Sequence, residues 1–151
     1  MVYDQRDTLP ASLPAPFLAV SFSIAGQMYG IAVAQVHEIV SVPALLPIGG
    51  APAYLPGMLN LRGLFLPVLD GRALVDAPAQ LDLSNQVVIL GAAAPEFGLL
   101  VDQAHVVHSA TPIPSTMMPL CSSLPLYEYM LTIGEHAAFH IDLDRLRILL
   151  P

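Results

Sequence analysis

The side chains of this chain that could move protons, hold a metal or act as a nucleophile include five histidines, twelve carboxylates and one cysteine. His37 and Glu38 are adjacent, and neighbours on a helix point in different directions; no further histidine lies at metal-ligand spacing from them. His105 and His108 are three apart, a spacing that suits ligands only on a helix, and their stretch is short and β-branched. His136 and His140 are four apart, which on a strand separates the Cα atoms by about 13 Å, too far for one metal. All five read as polar surface or loop residues. Asp142 and Asp144 alternate with Ile141 and Leu143, placing both on the solvent side of a strand, with no nucleophile nearby and no cleft to tune them for acid–base work. Cys121, between Leu120 and two serines, reads as an inert buried thiol. There is no nucleophile elbow and no phosphate-cradling glycine loop. The sequence supports no catalytic residue, no metal site and no cofactor.

Composition narrows the field further. The net charge is −7, and the five cations are all arginine. Clustered cations are what nucleic-acid binding requires, so that class is set aside. Without lysine there is no phosphate-binding lysine and no Schiff base. The mixed-charge start, MVYDQRD, and the lack of a small-residue cleavage pattern argue against a signal peptide. Val40 to Leu61 and Gln103 to Tyr127 carry no charge, but four prolines in each break any spanning helix. The expectation is a soluble, cytoplasmic chain that leaves apolar surface uncovered, and such patches mark protein contacts.

One charged group stands out within that apolar surface. Between Glu38 and Asp70, Asn60 and Arg62 are the only strongly polar side chains, in the run Met58-Leu59-Asn60-Leu61-Arg62-Gly63. Arginine is favoured at contact hot spots because its planar fork makes directed bonds. Equally, Arg62 could bond backbone carbonyls and hold the turn. Residue type and position leave these two readings level.

The elements around it are short. Residues 1–16 read as a flexible arm. Phe17 to Ile24 and Gln27 to Val33 form a hairpin about Ala25-Gly26. In Ala34 to Val40, apolar residues three and four apart predict one or two helical turns. Strands follow near Met58 to Leu61 and Leu64 to Leu69, then a turn of helix at Arg72 to Val75. Gln86 to Gly91 and Phe97 to Val101 make a second hairpin. Asp102 to Val107 echoes the earlier segment: a hairpin, then a small residue, a histidine and a valine. Tyr129 to Ile133 and Ala138 to Leu143 follow, and Asp144 to Leu150 ends the chain as a short helix or strand. Eight or so short strands with glycine and proline turns predict barrels or a sandwich.

At Tyr29-Gly30-Ile31, Val36-His37-Glu38-Ile39, Gly57, Asn60-Leu61-Arg62-Gly63, Pro67 and Asp70 the sequence resembles the CheW family of chemotaxis coupling proteins. The likeness continues through Gly98-Leu99-Leu100-Val101-Asp102 to Ile141-Asp142-Leu143-Asp144-Arg145-Leu146. It implies an all-β, CheW-like fold: two five-stranded SH3-like β-barrels packed side by side, with short helical turns, over residues 17–151. It also implies a non-enzymatic adaptor joining the cytoplasmic tips of methyl-accepting chemoreceptors to the regulatory domain of a CheA-type histidine kinase, recruited to membrane-associated arrays and capable of weak self-association. The alternative is an accessory adaptor of a pilus or surface-sensing system that binds the kinase but not receptors. By the resemblance, Val36, Glu38, Gly57, Arg62, Ala104 and Val107 face the receptor, while Asn60, Gly63 and Asp70 shape turns. That tips Arg62 toward contact. The kinase-binding residues are unassigned, with candidates in 44–48 and after Ala92. Two departures stand out: Gly71, where the family commonly has leucine, is expected to loosen the following turn, and His140 replaces a common aliphatic. The 109–128 segment has no counterpart to reason from.

Overall fold

In the computed structural model, which describes residues 14–42, 44–78, 84–113 and 127–151, the chain first pairs β1 (Phe17–Ile24) with β2 (Gln27–Ala32). Ala25 and Gly26 turn it at φ of 52° and 81°, the primed geometry whose twist matches paired strands. A single 3-10 turn, Val33–Gln35, leads into β3 (Val36–Ser41). Then come β4 (Gly57–Leu61), β5 (Leu64–Asp70), the one-turn helix α1 (Gly71–Leu74), β6 (Gln86–Leu90) and β7 (Phe97–Val101). The chain closes with β8 (Gln103–Ile113), β9 (Tyr127–Ile133), β10 (His136–Ile141) and α2 (Leu143–Arg147).

Five strands close into a barrel in the order β1-β2-β10-β9-β8, and the other five form a sheet in the order β3-β6-β7-β5-β4. All neighbours are antiparallel except β2 with β10 and β5 with β7. The two sets have separate interiors and a shared seam. Along β1, Ala19 belongs to the barrel's own small core with Ala110, Leu131 and Ala138, while Val20, Phe22 and Ile24 face the other way. There they meet Leu69, Val88, Leu90 and Leu99 of the second sheet in the largest core. Leu59, Leu61, Leu66, Val68, Val87, Ile89 and Leu100 fill the inside of the second set.

Several expectations need correction. Ala34 to Val40 is not helical; apart from the 3-10 turn it is strand β3, paired with β6. From Val36↔Leu90 to Glu38↔Ile89, β3 advances two residues and β6 one, so His37 is the extra residue of a bulge. That bulge lets Val36 and Ile39, three apart, both pack on the shared core, which imitates helical spacing within a strand. Asp142 and Asp144 do not alternate along a strand: Asp142 caps α2, its Oδ1 accepting from the Asp144 N–H at 3.0 Å. The described residues hold ten strands where eight or so were expected from the pattern, and β8 runs on to Ile113. Residues 1–13 of the arm, Cys121 and the 114–126 part of the proline-rich segment lie outside the described residues.

Gly71 does not loosen the turn it begins. It is buried against β1 and β7, and a Cβ there would lie 2.6 Å from the Leu100 carbonyl oxygen and 2.7 Å from Ile24 Cδ1. This packing leaves no room for the family's usual leucine.

Candidate partner-binding site

Arg62 sits at the tip of the β4–β5 hairpin, and the local sequence explains how. Leu61↔Leu64 is the last pair of the ladder, so Arg62 and Gly63 form a two-residue loop, at φ of 51° and 90°. A non-glycine residue at positive φ is uncommon, and this one is held by a cap. Asn60 Oδ1 accepts from the Gly63 N–H at 2.8 Å. The arginine side chain is 72% exposed, with Leu64 and Phe65 exposed beside it at 48% and 52%.

The guanidinium reaches Glu38 on β3 with both terminal nitrogens: Nη2 to Oε1, and Nη1 to Oε2 at 3.4 Å. Such a fork gives direction as well as attraction. β3 and β4 are the two ends of the second sheet and share no ladder, so the ion pair spans the opening between them. The bond from Arg62 holds the Glu38 carboxyl below its usual range, against a smaller upward push from desolvation. Arg62 itself is pushed up by the same bond.

The other site residues are placed as follows. Val36 is half-buried at the start of β3 and packs on the shared core. Gly57 opens β4 and is buried; a Cβ there would stand 2.7 Å from the Leu46 carbonyl oxygen, because Leu46 and Met58 exchange backbone bonds of 2.8 Å in both directions. Ala104 lies opposite Phe22, its N–H donating to Gln86 Oε1 on β6 at 2.7 Å. Val107 lies opposite Val20 and is 46% exposed. Among the described residues, no hydrogen bond or ion pair joins Gly57, Ala104 or Val107 to the Arg62–Glu38 pair.

Asp70 is buried. Its carboxylate caps α1 by accepting from the Arg72 N–H at 3.0 Å, and burial, partly offset by that bond, pushes its pKa up.

Residue types and spacing did not reveal Asp102. Its carboxylate takes Arg72 Nε at 2.8 Å and Nη2 at 3.0 Å, and Oδ2 also accepts from the Ala25 N–H at 2.8 Å. A barrel hairpin and the helix after β5 are thereby pinned to one side chain. The signal available was a lone acid ending an apolar strand. His140 was also misread as a surface group. It stacks on Tyr129 at 4.3 Å between ring centroids, with Phe17 edge-on at 6.1 Å. Its buried Nδ1 has no hydrogen-bond partner among the described residues, and burial pushes its pKa down to about 4.

With this geometry in view, the comparisons are consistent. The model of the CheW-like domain matches residues 18–146, and the chain belongs to that family. The chemotaxis protein CheW of Klebsiella aerogenes is 26% identical over 134 residues, spanning 83% of this chain and 78% of that protein. The protein of the same name in Treponema pallidum is 41% identical over 54 residues, which span 36% of this chain and 32% of that protein. In Bacillus subtilis the figures are 30% over 87 residues, 57% of this chain and 56% of the relative. These last two matches thus span roughly a third and somewhat over half of the relatives' lengths. The crystal structure of the scaffolding protein TtCheW from Thermoanaerobacter tengcongensis has the same fold, with a TM-score of 0.75, 24% identity, and coverage of 85% of this chain and 90% of that one.

Proposed function

We propose that this chain is a non-enzymatic scaffold of a bacterial chemosensory array, coupling chemoreceptor tips to a CheA-type histidine kinase. The observation that carries the reading is the exposed Arg62–Glu38 fork at a hairpin tip flanked by Leu64 and Phe65. An amphipathic helical hairpin would lay aliphatic residues against such a surface, while a carboxylate or helix-end carbonyl on it would share the guanidinium. Val36, Glu38, Gly57, Arg62, Ala104 and Val107 form the receptor-facing set in this reading. The kinase contact falls on apolar loop residues elsewhere; Leu46, 59% exposed in the 44–48 segment, is the leading candidate. Among the described residues no helix is long and apolar enough to cross a membrane, so the array would hold the protein through its partners.

The test is Arg62→Glu, which sets two carboxylates against each other at an exposed position. Binding to a receptor-tip peptide should be lost while the melting temperature stays nearly unchanged. A large fall in melting temperature would assign Arg62 to holding the hairpin instead. A pull-down with the unaltered chain should recover both kinase and receptor, and recovery of kinase alone would favour the accessory-adaptor role.

A further inference from the structure

Three of the chain's five histidines line one cavity, although their spacing gave no hint of it. From Val20↔Val107 to Phe22↔Ala104, β1 advances two residues while β8 advances three. The extra residue is a bulge, and bulges re-aim side chains. Here it brings His105 and His108 to the same space, and His136, just past the Gly134 turn, joins them. The cavity holds about 650 Å³ at the mouth of the closed barrel, within the usual range for small-ligand sites. It exists because β9 parts from β8 after Ala110↔Ile133, leaving the 104–109 stretch of β8 without a second strand neighbour among the described residues.

We propose that this cavity binds a small aliphatic monocarboxylate, with its carboxylate among the imidazoles and its hydrocarbon over Met28, Ile133 and Ala104. The polar groups that converge are three imidazoles and the buried Ser21 hydroxyl, all able to donate. No carboxylate is among the described residues that line it. Among the described residues, none of the three imidazoles is engaged in a hydrogen bond or ion pair. A cationic ligand would find no acid among the described lining residues, and a pure hydrocarbon would make no use of the three exposed imidazoles. A metal is disfavoured too, since the described residues present no group of three ligands arranged to hold one. The cavity shares Ala104 with the proposed receptor-facing set but none of the residues of the Arg62 fork, and its three imidazoles have no part in the coupling role.

The test is a titration of the full chain followed through the histidine ring protons by NMR, with octanoate, octanol and octylamine as probes. Octanoate should move the resonances of His105, His108 and His136 saturably, and octanol and octylamine should bind at least tenfold more weakly. Affinity should rise by up to about fourfold for each methylene from butyrate to octanoate. The combined variant His105→Gln, His108→Gln and His136→Gln, confirmed as folded by its melting curve, should bind octanoate at least tenfold more weakly. Equal affinity for octanol would overturn the proposal, as would octanoate shifts that spare these three histidines. So would zinc moving the three rings while octanoate leaves them unmoved.

Discussion

The placement of His140 costs this protein stability at acid pH. Its imidazole is wedged between Tyr129 and Phe17, and burial lowers its pKa from 6.5 to about 4. Within that window the unfolded chain takes up a proton that the folded chain refuses, so stability falls as pH drops from 6.5 toward 4 and is complete above it. The loss at this one site should reach on the order of 2–3 kcal/mol. Urea unfolding at neutral and acid pH should show that His140→Leu, the aliphatic type common in the family, flattens this dependence. Gly71 invites the opposite substitution. Gly71→Leu would drive a side chain into the Leu100 carbonyl and Ile24, and should cost about 3 kcal/mol or more, read as a fall in melting temperature. Residue type alone pointed to Arg62, because an isolated arginine in an apolar run is conspicuous. It could not identify Glu38 as the partner, because the two are 24 positions apart and only the folding of β3 and β4 brings them together.

Among the elements, hairpins and strands were largely legible, since alternation and turn residues act locally. The bulges in β3 and β8 were not. Each inserts one residue into a strand, at His37 in β3 and after Ala104 in β8, and each creates same-side pairs three apart that imitate a helix. This explains both the helical reading of Ala34 to Val40 and the dismissal of His105 with His108. The similarity between the two segments therefore extends to their shape: both follow a hairpin, and both carry a bulge. The seam between the two sheets depends on a contact of another kind, the carboxylate of Asp102 between Arg72 and the Ala25 N–H. Both side chains are mostly buried, at 19% exposure for Arg72 and 23% for Asp102. Asp102→Ala should thus destabilise by about 1–3 kcal/mol, discounted for partial solvent access. In a double-mutant cycle with Arg72→Ala, chemical denaturation should yield a coupling energy clearly above zero.

Over the whole molecule, the largest core is built from both sheets, with Phe22 and Ile31 on one side and Val88, Leu90 and Leu99 on the other. Neither sheet can lose its partner without exposing that surface, so unfolding should be a single transition. Far-ultraviolet circular dichroism and tyrosine fluorescence should give coincident curves in urea; separated curves would mean that the two sheets melt independently. The resemblance made the architecture legible because its motifs fall in both halves of the chain, but the interleaving is a long-range property that no local pattern encodes. The chain leaves the barrel after β2 and returns to it at β8, and these are the two strands that flank β1. The second sheet is therefore strung from neighbouring points, like a loop of rope hitched to one post. Tension applied between the two ends of the fold would pass sideways through the β1–β2 and β2–β10 ladders. The sheet that carries Arg62 would hang outside the line of force, keeping its hairpin geometry while the barrel bears the load.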